Sequence, residues 1–113
     1  MHASTWANLP VLMSLALIAL PALAGPAPST ERQRELMHLL RHDCGSCHGL
    51  TLKGGLGPPL LPDNLDGLPP DGLVQIILDG VPGRPMPPWR GLLPESEAAW
   101  LVARLQEGID DAP

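Results

Sequence analysis

The sequence predicts an all-α domain of three to four short helices, joined by long loops that wrap something other than side chains. Three observations carry this. Apolar residues recur at helical spacing in three stretches, and no alternating strand pattern appears between them. The 113-residue chain holds 15 Pro and 12 Gly, many of them gathered between those stretches, where they make loops rather than elements. The chain has no Phe and no Tyr. A domain this small cannot build a large core from what remains, so a flat apolar body has to come from elsewhere.

The chain divides into three parts. Residues 1–24 open with a short polar segment, continue as an apolar run from Val11 to Leu20 and close on Pro21-Ala22-Leu23-Ala24, the pattern of a signal peptide cut after Ala24. This opening carries no Lys or Arg, and its unbroken apolar run is about half the roughly twenty residues that a membrane span requires. Export to the periplasm is expected, with no stable membrane span after cleavage. Residues 25–29 form a Pro-rich linker, and residues 30–110 form the domain.

Within the domain, Thr30 followed by Gln33 predicts a capping box for a helix over 31–43. Its Leu36, Leu39 and Leu40 lie in register with Cys44 and Cys47, so one face carries the leucines and both thiols. From Gly49 to Pro62 the glycines and prolines predict a long loop, and loops of that length in small domains are usually functional. A short helix is expected over 71–79, with Leu73, Ile76 and Ile77 on one face and Gly80 ending it. A second Pro-rich loop, 81–93, carries Met86. The last helix is expected to begin with Pro94 at its first position, with Glu95 and Glu97 favoured by the helix dipole, an apolar stripe of Ala98, Leu101, Val102 and Leu105, and Gly108 at its end.

The pentapeptide Cys44-Gly45-Ser46-Cys47-His48 contains both cysteines of the chain. C-x-x-C-H is the spacing at which two thiols one helical turn apart add across the two vinyl groups of one porphyrin edge, with the adjacent imidazole under the iron. One covalent haem c, held through Cys44 and Cys47 with His48 as proximal metal ligand, is therefore expected. A redox dithiol of the C-x-x-C type belongs at a strand-to-helix junction, and no β-rich pattern precedes Cys44. A structural zinc site needs four ligands, and only His38 and His42, upstream on the same helix, remain in the exported part. In an oxidising compartment the two thiols would pair with each other unless haem captured them.

Met86, in Gly83-Arg84-Pro85-Met86-Pro87-Pro88-Trp89, is the candidate for the second metal ligand, because flanking prolines hold the backbone at low entropic cost. The alternative is a soft core filler. Met37, the other methionine of the exported part, lies on the helix that carries Cys44 and is poorly placed to reach the opposite face. Trp89 and Arg90 are the expected contacts to the haem propionates, with Arg84 as a further cation. Lys53 reads as an exposed residue of a glycine-rich loop.

At these residues the chain resembles the small single-haem class I cytochromes c, over residues 29–108. The resemblance implies the cytochrome c fold and a carbonyl from Gly57-Pro58, ten residues beyond the ligand histidine, facing the imidazole N–H; such a bond fixes the tautomer and raises the basicity of His48. Two positions depart from the family pattern. Leu36 stands where a small residue is usual, and Arg104 stands where the last helix usually has an aromatic, with Trp100 one turn earlier. The helix crossing is expected to survive with Leu36 and Leu40 against Trp100 or Leu101. The stretch from Asp43 to Pro58, together with Pro85-Met86-Pro87-Pro88-Trp89, is similar to the NirC type, periplasmic cytochromes associated with the haem-cd nitrite reductase system of denitrifying bacteria.

The formal charge of −5 lies entirely in the exported part and argues against nucleic acid as a partner. The expected function is one-electron transfer by a monomeric carrier that is not an enzyme, with redox proteins, among them haem-cd nitrite reductase, as partners. Two other readings stay open: a haem-based gas sensor with a displaceable Met86, and an assembly factor for nitrite reductase. An open iron that reduces peroxide is a further reading, for which the sequence supplies no distal His or Arg constellation.

Overall fold

The computed structural model describes Ala3 and residues 26–109. The expected signal peptide therefore lies, Ala3 apart, outside the described residues. Among the described residues the chain is helical with no strand: α1 Thr30–Leu39, a π-helical turn Leu40–Cys44, α2 Gly45–His48, α3 Pro62–Leu65, α4 Pro70–Asp79 and α5 Glu95–Glu107. No described helix is long and apolar enough to cross a membrane.

The first helical run extends from Thr30 to His48 with no break in direction of chain, but its start differs from expectation by one residue. Ser29, not Thr30, caps it, with Ser29 Oγ accepting from the Arg32 N–H at 3.2 Å. Gln33 then reaches back to the Pro28 carbonyl at 2.9 Å, so the side chain assigned to a capping box tethers the linker instead. Between α1 and α2 the ladder widens: the Gly45 N–H reaches the Leu40 carbonyl five residues back. Such π-turns insert a residue into a helix and are frequent at functional sites. This one falls immediately before the second cysteine's turn. Leu36 and Leu40 remain fully buried and Cys44, one turn on, is half-buried.

Prolines start three of the remaining elements. Pro62 and Pro70 sit in the first turns of α3 and α4, where a missing N–H costs nothing. The short α3 was not expected; the sequence around Pro62 reads as loop, and a single turn is too brief to show periodicity. Pro94 is the N-cap of α5 rather than its first residue, because its ψ of 157° is extended while its carbonyl already accepts from Glu97 and Ala98.

α5 packs against α1, α3 and α4. The core is aliphatic: Leu36, Leu40, Leu78, Ala98, Leu101 and Val102 are at most 2 % exposed, and Trp89 and Trp100 pack on its margin. Leu36 of α1 and Leu40 of the π-helical turn belong to the same buried cluster as Leu101 of α5, and the Arg104 guanidinium lies 5.4 Å from the centre of the Trp100 ring. The same crossing carries a two-pronged ion pair. Arg32 Nε donates to Glu97 Oε1 at 2.9 Å and Arg32 Nη2 to Glu97 Oε2 at 2.8 Å. The guanidinium holds the Glu97 carboxyl below its ordinary range.

Leu101→Ala removes a fully buried side chain from the centre of this cluster and is expected to cost about 3 kcal/mol in denaturant unfolding. Glu97→Gln tests the ion pair by its pH dependence. A depressed carboxylate pKa contributes stability that is present above the unfolded value and disappears as pH falls through the folded one. The variant should therefore melt below the parent at neutral pH, and the difference should shrink as pH falls through the depressed Glu97 pKa.

Candidate functional site: a histidine loop and a methionine loop on one core

His48 is the last residue of α2, where the helix leaves carbonyls without partners. The glycine-rich loop folds back to supply them. The Gly57 N–H donates to the Cys47 carbonyl and the Gly54 N–H to the His48 carbonyl, both at 2.8 Å. Gly49 turns the chain at φ 91°, and a Cβ there would fall 2.7 Å from the Gly54 carbonyl oxygen. Leu52 anchors the loop from inside. It is 4 % exposed and adopts φ 58°, a left-handed conformation uncommon for a residue with a branched side chain and held here by burial and by the Leu60 N–H on its carbonyl.

This return brings Pro58 to His48: Nδ1 lies 2.7 Å from the Pro58 carbonyl oxygen. A carbonyl can only accept, so the ring proton is on Nδ1 and the Nε2 lone pair is presented for a metal. Gly57 packs flat on the same ring, and a Cβ would lie 2.8 Å from both Cε1 and Nδ1. The carbonyl partner implied by the family resemblance is thus in place. Cys44 and Cys47 are free and half-buried. Burial, with the Asp43 charge adding to it, pushes the Cys44 thiol up to about 11, so it stays protonated at neutral pH. Ser46 Oγ donates to the Asp43 carbonyl at 2.7 Å and closes the turn between the cysteines.

The second loop returns to α4. Trp89 and Arg90 donate their backbone N–H groups to the carbonyls of Ile77 and Leu78 at 3.1 and 3.0 Å, and the Val81 N–H donates to the Met86 carbonyl at 3.1 Å. Met86 is half-buried and lines an open cleft of about 380 Å³ with Asp79, Val81 and Arg84. Trp89 is half-buried against the core and Leu93 is fully within it. Arg90, expected at a propionate, grips Asp79 through Nε at 2.8 Å and Nη2 at 2.9 Å, which lowers the Asp79 pKa and leaves Nη1 outside the pair. Arg84 and Lys53 are exposed. The sequence offered no signal for the Arg90–Asp79 pair, because its members stand eleven positions apart across a loop.

His38 and His42 stack edge to face, ring centres 4.2 Å apart, on the exposed side of the first helical run. No group of three or more His, Cys, Asp or Glu among the described residues is disposed to hold a metal ion.

Residues 31–103 match the family model described as cytochrome c oxidase, cbb3-type, subunit III. The chain is 58 % identical over 89 residues to cytochrome c55X of Pseudomonas aeruginosa, covering 79 % of this chain and 75 % of that protein. The chain belongs to the c-type cytochrome family. Its fold is that of the family: a solved c-type cytochrome NirC superposes with a TM-score of 0.70 at 57 % identity, over 71 % of this chain and 94 % of the other. The similarity to the NirC type seen in the motifs thus extends through most of the domain. A weaker likeness, 37 % identity over 97 residues, links the chain to the dihydro-haem d1 dehydrogenase of Pseudomonas aeruginosa; it covers 86 % of this chain but only 18 % of that protein. Family membership carries covalent haem c with it, and the site fits that group. A half-buried pair of thiols and an imidazole with its Nε2 free are held together at the end of one helix.

Gly57→Ala places a methyl group against the His48 ring. It should lower the yield of haem-loaded protein and destabilise what forms by about 1–3 kcal/mol. In NMR, the His48 Nδ1 proton, slowly exchanging in the parent, should exchange faster in the variant.

Proposed function

We propose that this chain is a periplasmic one-electron carrier with a single haem c, attached through Cys44 and Cys47 and held at its iron by His48 and Met86. The observation that carries the reading is the 2.7 Å approach of His48 Nδ1 to the Pro58 carbonyl, which presents Nε2 outward from a ring that cannot turn. Bound haem supplies the redox couple. The chain's own part is to hold both ligands still. His48 is fixed by the glycine loop and Met86 by the loop seated on α4, so the ligand geometry changes little when one electron arrives, and a thioether ligand favours the reduced state. Trp89 and Arg90 are the proposed contacts for the propionates, Arg90 through the nitrogen left outside its pair with Asp79.

Export by cleavage after Ala24 gives a mature protein that begins with the linker 25–29 and carries the domain 30–110. Likeness to NirC supports the haem-cd nitrite reductase system as the redox partner and the denitrification chain as the setting. A second reading has an observation of its own. The same cytochrome unit is matched within a dihydro-haem d1 dehydrogenase, an enzyme whose name makes dihydro-haem d1 the electron-donating substrate. A free carrier of this kind would suit a maturation step, with two oxidised molecules needed for each two-electron dehydrogenation.

The test is the visible spectrum of the haem-loaded protein, oxidised and reduced, followed by carbon monoxide. The expected result is the long-wavelength sulfur-to-iron band in the oxidised form and no carbon monoxide shift in the reduced form. Met86→Ala should keep its haem, lose the band and bind carbon monoxide. A parent protein that binds carbon monoxide without the band has an open iron and is a sensor or an enzyme. Stopped-flow mixing with haem-cd nitrite reductase and with dihydro-haem d1 dehydrogenase then separates the two partner readings.

A further inference from the structure

Between Asp79 and Arg90 the chain leaves the end of α4, makes the methionine loop and returns to the same helix end. Gly80 stands at the root of this excursion. Its φ of 68° and ψ of −170° lie in a region open essentially to glycine alone. More restrictive is what faces it. A Cβ on Gly80 would fall 2.6 Å from the Met86 carbonyl oxygen and 2.9 Å from Pro87 C and Pro88 N. These are backbone atoms in a run stiffened by prolines, so they cannot step aside as the tip of a flexible side chain would. The neighbouring hydrogen bonds, Val81 N–H to Met86 O, Trp89 N–H to Ile77 O and Arg90 N–H to Leu78 O, all depend on the same close approach. The Asp79–Arg90 pair bridges the two ends from outside, with both side chains more than half exposed, and exposed pairs contribute little.

We propose that Gly80 is the positioning residue of Met86: its bare Cα lets the methionine segment lie directly on the end of α4, and a side chain there moves Met86 off the iron. This rests on Met86 being the iron ligand. The seat is steric and backbone-built rather than ionic. It acts on the spectrum and potential of the haem through the methionine, without touching either.

Gly67 and Gly83 provide internal controls. They share a positive φ, 72° and 77°, but nothing lies within 4 Å of a Cβ at either position, and Gly83 belongs to the methionine loop itself. The haem-loaded full chain is compared as Gly80→Ala, Gly67→Ala, Gly83→Ala and Met86→Leu, by sulfur-to-iron band, carbon monoxide affinity, reduction potential and melting temperature. All three alanine variants should lose thermal stability from backbone strain. Only Gly80→Ala should also lose the band, fall in potential and bind carbon monoxide at least about tenfold tighter than the parent, because apparent affinity rises with the fraction of open iron. A Gly80→Ala protein with the band and carbon monoxide affinity of the controls overturns the proposal. So do controls that lose the band equally, since strain alone would then suffice. Met86→Leu with an intact band overturns the ligand assignment itself, a failure distinct from that of Gly80. Should Gly80→Ala not accumulate, the parent protein gives a second reading. Displacing Met86 with cyanide should speed amide exchange at Val81 and leave Leu101 protected, and an unchanged Val81 rate counts against the seat.

Discussion

The hydrogen bond between His48 and the Pro58 carbonyl is the contact on which the arrangement of this protein depends, and it is the outcome of a problem common to every helix. A helix that ends inside a small domain leaves carbonyls unpaired, and unpaired buried carbonyls are costly. Here the Cys47 and His48 carbonyls are taken up by the amides of Gly57 and Gly54, and the missing Cβ of Gly57 leaves room for the His48 ring. Pro58 arrives at the imidazole as a consequence. The closure of the helix and the orientation of the His48 ring are thus one event, and Leu52, driven into the core at an unfavourable φ, holds it shut.

The two loops of the candidate site are built differently. The histidine loop closes over a helix end with glycines; the methionine loop is stiffened by prolines and laid back on α4. Both are anchored in one cluster, Leu52 from the first loop and Leu93 from the second. A core made of Leu, Val and Ala with its tryptophans on the margin offers little bulk of its own. The flat cofactor of the family is the body that such a core lacks, which explains why a domain of this size tolerates so much loop.

The crossing of α1 and α5 shows how a family contact is kept when its usual residues are absent. Leu36 occupies a position that close helix contact would leave small, yet it is completely buried beside Leu40 and Leu101. The aromatic expected in the last helix is replaced by Arg104, whose guanidinium covers Trp100. The two-pronged pair of Arg32 and Glu97 adds a directional contact across the same crossing. Aliphatic packing with a charged clasp replaces a small-against-aromatic contact.

Much of this was legible in the sequence. Cys44, Cys47 and His48 are adjacent, so their chemistry is written in a spacing. The helices carrying Leu36 and Leu40 or Leu101 and Leu105 announce themselves by period, and Gly80 and Gly108 mark ends because only glycine adopts those dihedrals cheaply. What local pattern could not show is what distant segments do to one another. The cap fell on Ser29 rather than Thr30 because side-chain hydrogen bonds choose between adjacent candidates by geometry. The π-turn that ends on Cys44, the turn at Pro62–Leu65 and the Arg90–Asp79 pair have no periodic signature at all. The close approach of Gly80 to Met86 depends on a loop returning to its own origin, and only the tertiary structure decided it. Sequence spacing specifies which groups can react; the packing of loops on a shared core specifies where those groups point.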